Sequence, residues 1–257
     1  AGIKKSILVI SEEICRLNNL NCNLNTVTQK KPLGTGDAVK KAIPLLKNFE
    51  GIVIICFADT PFITKKTIKN LIRSVKNGND IALTSFKKNG KNSYGKIILS
   101  QDNKPIKITE DRNSKLDTLL CNGGIIAFKS DIIFNLLSKI KPDNITKEYY
   151  LTEVVEIAAQ NDLKIDLIHI EEQEILGVNS REDLVLAEKI IQTKLRHFFL
   201  NQGVTLIDPE TNYFSYDTII KKDVTIYPNV FIGEGVKIES GSSILPFCHL
   251  ENCSIKK

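Results

Sequence analysis

Two hydrophobic rhythms divide the chain. Up to about residue 200, short apolar runs alternate with stretches at helical spacing. From Phe214 onward an apolar residue returns every six positions, at Ile220, Ile226, Ile232, Ile238, Ile244 and Leu250. In the first part the dominant run is Ile52–Phe57, set in GIVIICFADTP (Gly51–Pro61) and ending at a carboxylate, Asp59. A continuous run of this kind predicts a strand buried on both faces in the middle of a parallel sheet. Pro61 stops it, and Thr64 caps the helix that follows.

Around that strand the pattern predicts further elements in order. Ser6–Ile10 reads as a strand and Ser11–Leu20 as a helix opened by Ser11, Glu12 and Glu13. A short strand ends near Gln29, and Pro32 with Leu33-Gly34-Thr35-Gly36 makes a tight turn into a helix whose Ala38, Ala42 and Leu45 share a face. Ile68, Leu71, Ile72 and Val75 mark a helix over Thr64–Lys76 closed by Gly78, and Ile81–Phe86 is a buried strand. Lys96–Ser100 and Pro105–Thr109 are strands joined at Asp102-Asn103, followed by an apolar stretch Asn122–Phe128 and a helix Ser130–Ile140 capped by Ser130. Glu148–Thr152 leads into a helix through Ala159, and Lys164–Ile170 is one more strand. Ser180 and Asp183 form a capping box for a helix running to about Leu200. Strand–helix alternation predicts an α/β domain with a largely parallel sheet.

The six-residue period predicts a hexapeptide parallel β-helix, each hexad one side of a triangular coil. A meander of short strands is the other reading, but random apolar scatter does not hold such a phase. The boundaries expected from this pattern are an α/β domain over 1–180, a connecting helix over 181–203 and the start of the β-helix over 204–257.

Composition narrows the class. The 257 residues are 42% hydrophobic and 25% charged, ordinary for a globular protein. No segment reaches the roughly 18 apolar residues of a membrane span, and no signal peptide opens the chain. The net charge of +5 is scattered in single lysines and pairs, which argues against a nucleic-acid surface and suits phosphorylated small molecules. The six cysteines form no C-x-x-C pair; Cys56 and Cys121 sit in apolar runs as small hydrophobes, and a reduced cytoplasm is the expected location. The sequence contains no methionine, even at position 1, so the chain is expected to be a piece of a longer one.

Candidate chemistry follows from position. Asp59 lies past a strand end, where open α/β sheets bind ligands, and reads either as a turn residue or as a metal ligand. The Gly34–Gly36 turn at a helix start suits an anion or a base edge, but its spacing matches neither G-x-G-x-x-G nor G-x-x-x-x-G-K-[ST], so a plain connection is equally open. Glu110 and Asn122 read as satisfied structural polar residues or as ligand contacts. His169, His197 and His249 are scattered, with no Ser/His/Asp or Cys/His constellation.

Several blocks, in this order, carry a resemblance: Gln29 with Leu33–Gly36, Ala58-Asp59-x-Pro61, Tyr94-Gly95, Glu110, Asn122-Gly123-Gly124, Glu148–Thr152 and Gly177-Val178-Asn179. With an α/β domain, a long helix and a hexapeptide β-helix, the chain resembles the sugar-1-phosphate nucleotidyltransferases. Among these it is similar to the bacterial bifunctional N-acetylglucosamine-1-phosphate uridyltransferase/glucosamine-1-phosphate acetyltransferases. The resemblance implies a Rossmann-like nucleotidyltransferase domain, incomplete at its N-terminus, followed by the start of a left-handed parallel β-helix. It implies uridylyl transfer from UTP to N-acetylglucosamine 1-phosphate, giving UDP-N-acetylglucosamine for cell-wall precursors. Gln29, Gly34 and Thr35 would read uracil, and Asp59 and Asn179 would be the catalytic pair holding Mg²⁺. Gly95, Glu110, Asn122 and Thr152 would contact the sugar, and the complete protein would be a homotrimer.

Departures from the family pattern matter as well. Its Gly-rich phosphate loop and the lysine after it do not occur here. Phe57 stands for its usual tyrosine, Lys96 for the common arginine, and Gly123 for Thr or Ser. About two coils of β-helix are expected, and nothing after Phe214 supplies an acetyl-transfer site. The short chain alone is expected to be catalytically silent and prone to aggregate. Two other functions fit the sequence: a glucose-1-phosphate type of nucleotidyltransferase, or a non-catalytic sugar-nucleotide-binding or trimer-forming module.

Overall fold

The computed structural model describes residues 2–16, 24–90, 92–110 and 120–256, in two compact units, Ala1–Gly177 and Val178–Lys257. The first unit opens with β1 (Ile7–Ser11), α1 (Glu12–Arg16) and β2 (Asn25–Gln29), the two strands forming a parallel pair of their own. The expected continuation of α1 to Leu20 lies outside the described residues. Next come α2 (Thr35–Ala42), β3 (Ile52–Ile55), α3 (Lys65–Lys76), β4 (Ile81–Lys87), β5 (Lys96–Leu99) and β6 (Pro105–Thr109). The unit closes with β7 (Leu120–Lys129), α4 (Ser130–Lys139), α5 (Glu153–Gln160) and β8 (Ile165–His169).

The main sheet has the order β6-β5-β7-β4-β8, with β3 also paired to β7. It is α/β as expected but not largely parallel. β7 runs antiparallel to β3, β4 and β5, and among the described residues only β4 and β8 of this sheet pair in parallel. The reason is β7 itself, which enters between strands already parallel to one another. β3 is also not a doubly buried central strand. Its four residues are half-buried, its one strand partner among the described residues is β7, and Cys56 and Phe57 beyond it are exposed. The run Ile52–Phe57 is apolar because Val53 and Ile55 pack on one side and Ile52 and Ile54 on the other. Cys121, by contrast, is buried as expected.

The sheet is covered on both faces. Ile81, Leu83, Ile126 and Phe128 pack against α4 and α5 through Ile133, Leu137, Val154, Val155 and Ala158. The alternate positions Ala82, Ile125 and Ala127 meet Leu71 and Val75 of α3. Local chemistry sets the ends. The Thr64 hydroxyl accepts from Thr67 N–H at 3.1 Å, the expected cap of α3. After α2, Pro44 tightens the chain into a 3-10 turn over Ile43–Leu46, which buries Leu46 and leaves Leu45 exposed, so that of the expected face Ala42 is buried and Leu45 is not. Ser130 is the first residue of α4 rather than its cap, and its hydroxyl instead accepts from Gly51 N–H at 3.0 Å.

The second unit begins with α6 (Arg181–Asn201), started by the Ser180–Asp183 capping box. Pairs of residues then form β9 (Thr205–Leu206), β10 (Tyr213–Phe214), β11 (Ile219–Ile220), β12 (Thr225–Ile226) and β13 (Phe231–Ile232). They continue as β14 (Lys237–Ile238), β15 (Ser243–Ile244), β16 (His249–Leu250) and β17 (Ser254–Ile255). These stack into three parallel three-stranded sheets, β9-β12-β15, β10-β13-β16 and β11-β14-β17, as a parallel β-helix requires. The described residues therefore hold three strand layers, more than the two coils expected. The pairing repeats at three hexads, Tyr213 with Phe231 and Phe231 with His249. In the last layer Lys237 pairs with Ser254, one residue short, so Ile255 takes the inward place after Leu250.

Two inward columns fill this unit. Phe214, Ile220, Ile226, Ile232, Ile238 and Ile244 are the hexad positions, and two residues earlier Val224, Val230 and Val236 are buried as well. Three residues before the hexad position the backbone turns through positive φ, at Gly203, Asp223, Asn229, Gly235, Gly241, Phe247 and Asn252. Asp, Asn and Gly suit that corner; Phe247 does not, and its ring is 81% exposed. α6 belongs to the same core. The Gln192 amide donates to Phe214 C=O at 2.8 Å and accepts from Phe214 N–H at 3.0 Å, and Arg196 bonds Asn212 C=O and Glu210.

Two substitutions test this account by urea denaturation of the second unit. Ile232→Ala should cost about 2–5 kcal/mol by opening a cavity in the inward column. Phe247→Asn should instead stabilise by about 1 kcal/mol, since it relieves a bulky residue of a left-handed backbone while losing little packing.

Candidate active site

The residues singled out from sequence fall into three groups in the first unit, plus Asn179 in the second. The first group is the turn before α2. Gly34 adopts φ 98°, and a Cβ there would stand 2.6 Å from Tyr149 O, so only glycine fits. The turn is stitched to the segment before α5. Tyr149 N–H donates to Leu33 C=O at 2.8 Å, and Gly36 N–H donates to Tyr149 C=O at 2.7 Å. Leu151 N–H donates to the Thr35 hydroxyl at 3.0 Å. Thr152 follows at once, and its own hydroxyl does not cap α5. Gln29 closes the group, its amide N–H₂ donating to Gly34 C=O at 3.2 Å and to Asp37 Oδ2 at 2.8 Å.

The second group surrounds a bulge in β7. Leu83 pairs with Ile126 but Ser85 with Asn122, so the segment between carries extra residues at Gly123-Gly124. The fully buried Thr84 holds the bulge, its hydroxyl accepting from Ile125 N–H at 3.1 Å and donating to Ile125 C=O at 3.2 Å. Asn122 N–H donates to Gly95 C=O at 2.8 Å, and the Asn122 side-chain Oδ1 accepts from Gly124 N–H at 3.0 Å. Glu110 completes the group, its carboxylate so close that a Cβ on Gly95 would lie 3.0 Å from Oε1. Gly95, Glu110 and Asn122 are therefore brought together. Lys96, beside them, is turned away: its ammonium donates to Asn92 Oδ1 and lies 3.2 Å from Cys121 Sγ.

The third group is Asp59, in the exposed turn after β3. A Cβ on Gly124 would meet the Phe57 ring at 2.7 Å, so this strand end abuts the bulge. The Asp59 carboxylate has no hydrogen bond or ion pair among the described residues. Asn179 is the second residue of the second unit, after Val178. Its N–H donates to Asp183 Oδ2 at 3.0 Å, while its side-chain amide has no partner among the described residues. That bond, with the contribution of Ser180, holds the Asp183 carboxyl below its ordinary range. No described group of three or more His, Cys, Asp or Glu could hold a metal unaided.

Sequence reasoning missed Asp37 and Thr84. Asp37 reads as a carboxylate complementing a helix start. The signal for Thr84 was the Gly-Gly pair within a strand pattern, which marks a bulge and a close approach.

A family model for nucleotidyl transferases matches residues 4–172. The chain belongs to that family. It is 39% identical over 246 residues to the bifunctional protein GlmU of Wolbachia pipientis wMel, which covers 93% of this chain and 56% of the relative. The GlmU of Gluconobacter oxydans (strain 621H) is 38% identical over 252 residues, 97% of this chain and 56% of its own. That of Anaplasma marginale (strain Florida) is 37% identical over 238 residues, 92% and 54% respectively. The chain thus spans just over half the length of these relatives. Asp59 and the gathered Gly95, Glu110 and Asn122 all lie in the matched segment. No described helix is long and apolar enough to cross a membrane.

The crowding at the bulge explains why this nucleotidyl transferase has Gly123. A Cβ there would stand 2.4 Å from Thr84 Oγ1, the atom that holds Ile125. Gly123→Thr should destabilise by roughly 1–3 kcal/mol through overpacking. Combined with Thr84→Ala it should cost clearly less than the sum of the single changes, as a double-mutant cycle on thermal unfolding would read. Additive losses would remove Thr84 as the reason.

Proposed function

We propose that the protein transfers a uridylyl group from UTP to N-acetylglucosamine 1-phosphate, giving UDP-N-acetylglucosamine and pyrophosphate. The observation that carries this reading is the convergence of Gly95, Glu110 and Asn122 in a chain of the nucleotidyl transferase family. Glu110 offers carboxylate oxygens to sugar hydroxyls, while Asn122 and the Gly95 backbone orient the ring and its acetamido group. Thr152 contributes its hydroxyl from the segment stitched to the Gly34 turn. Gln29 and Gly34 pair with the base edge, and Thr35 fixes that turn against Leu151.

Asp59 and Asn179 are the proposed ligands of Mg²⁺. The fit rests on donor chemistry: a carboxylate and a side-chain amide without partners among the described residues suit a hard cation that keeps waters and takes substrate phosphate oxygens. When bound, the ion neutralises phosphate charge. The residues of the chain align the sugar phosphate oxygen with the α-phosphorus, opposite the departing pyrophosphate, and no side chain has to act as nucleophile. A homotrimer in the bacterial cytoplasm completes the proposal, which sedimentation of the full-length protein would check.

In the protein expressed from its complete reading frame, Asp59→Ala and Asn179→Ala should each remove most UTP-dependent pyrophosphate release. Near wild-type turnover of either variant at saturating Mg²⁺ would sink the metal assignment. Glu110→Ala and Asn122→Ala should raise KM for the sugar phosphate far more than for UTP. Each leaves a polar group unpaired, about 1–3 kcal/mol. Equal losses for both substrates would mean that these residues only support the fold.

A further inference from the structure

The Gln29 amide is oriented by groups that only accept. Its two N–H bonds go to Gly34 C=O at 3.2 Å and to Asp37 Oδ2 at 2.8 Å. A carbonyl and a carboxylate have no hydrogen to donate, so the amide cannot turn over without placing its own oxygen against two others. Asp37 is held for this task. It is 7% exposed, and its second oxygen, Oδ1, is ion-paired with the Lys41 ammonium at 3.4 Å, one helical turn along α2. The remaining group of the Gln29 side chain is Oε1, an acceptor. In the turn that Gln29 contacts, Gly34 N–H has no acceptor among the described residues, so the turn also offers a donor.

We propose that Asp37 is a positioning residue that sets base choice, by locking Gln29 so that the side chain offers only an acceptor to the bound base. The proposal rests on the reading of Gln29 and Gly34 as the base-reading pair. An acceptor beside a donor matches the imide N3–H and an adjacent carbonyl of uracil. Cytosine presents a bare N3 lone pair at the same place, which would face Oε1 without a proton between them. Discrimination between the two pyrimidines then follows from Asp37, which never touches the base.

The sharpest variant is Asp37→Asn. An amide at position 37 can donate to Gln29, which turns the shorter of the two locking contacts into one that also suits the reversed amide, so that a fraction of Gln29 turns over against Gly34 C=O and presents N–H₂ to the base. In the protein expressed from its complete reading frame, pyrophosphate release should favour UTP over CTP in the wild type. In Asp37→Asn the CTP-to-UTP ratio of kcat/KM should rise at least tenfold, with a gain in CTP use that loss of folding cannot produce. Asp37→Ala, which frees one N–H of Gln29, should shift the ratio in the same direction. An unchanged ratio in both variants overturns the proposal, as does a wild type that uses CTP as readily as UTP. If the wild type turns over neither nucleotide, the uridylyl-transfer reading fails on its own. Equilibrium binding of UTP and CTP to the same three proteins then decides the role of Asp37 by the same ratio.

Discussion

The first unit depends on the two-sided pairing of β7. Its C-terminal half bonds β3 through Ile126–Lys129 on one edge and β4 through Ile126–Phe128 on the other, while Cys121 near its start meets Lys96 of β5. Burial supplies the energy of this arrangement. Phe128 and Ile126 are inaccessible, and each such side chain contributes about 1.5–3 kcal/mol on leaving water. Hydrogen bonds, at a net of about 1 kcal/mol apiece, decide placement rather than stability. The bulge shows the difference. It gives up ladder bonds between Leu83 and Ser85, yet Thr84 restores two bonds to Ile125. The strand can therefore bend where Asn122 must face Gly95 and Glu110.

The second unit solves a different problem with the same means. A strand of two residues cannot fold alone, and its hexad residue is buried only when a layer lies above or below. α6 closes one side of this stack. Its Gln192 pairs with both backbone groups of Phe214, and Phe199 rests against the Phe214 ring with centroids 4.9 Å apart. The helix is thus part of the core of its unit and not a free-standing connector, although its exposed Leu184, Val185 and Leu186 give it little amphipathic pattern to announce this.

What could be read from the sequence was what depends on periodicity and on local caps. The six-residue phase, the Thr64 cap and the Ser180–Asp183 capping box are all decided within a few residues, and each is found in place. Strand direction was not legible. An apolar run such as Ile52–Phe57 looks the same whether its neighbour runs parallel or antiparallel, and β7 supplies the direction from about 70 residues away. Among the candidate site residues, the grouping of Gly95, Glu110 and Asn122 rests on pairings across β5, β6 and β7 that no short-range pattern reveals. Asp37 was hidden for another reason. Its position in a first helical turn already had a sufficient electrostatic explanation, and only the side chain of Gln29 shows that it has a second partner.

The turn at Gly34 has no sheet to hold it, and its rigidity comes from the segment before α5. Three hydrogen bonds join Leu33, Thr35 and Gly36 to Tyr149 and Leu151. The Lys40 ammonium, 4.5 Å from the Tyr149 ring centroid, adds a cation–π contact. At about 1 kcal/mol per bond the stitch is worth some 3 kcal/mol, too little to order two long loops but enough to fix two short ones already anchored by helices. The close approach of Gly34 to Tyr149 removes the remaining slack, since the backbones touch where a side chain would otherwise stand. Thr152 is one residue from the last stitch. The three bonds and the Gly34–Tyr149 approach therefore fix the Gly34 turn against the segment that leads to Thr152.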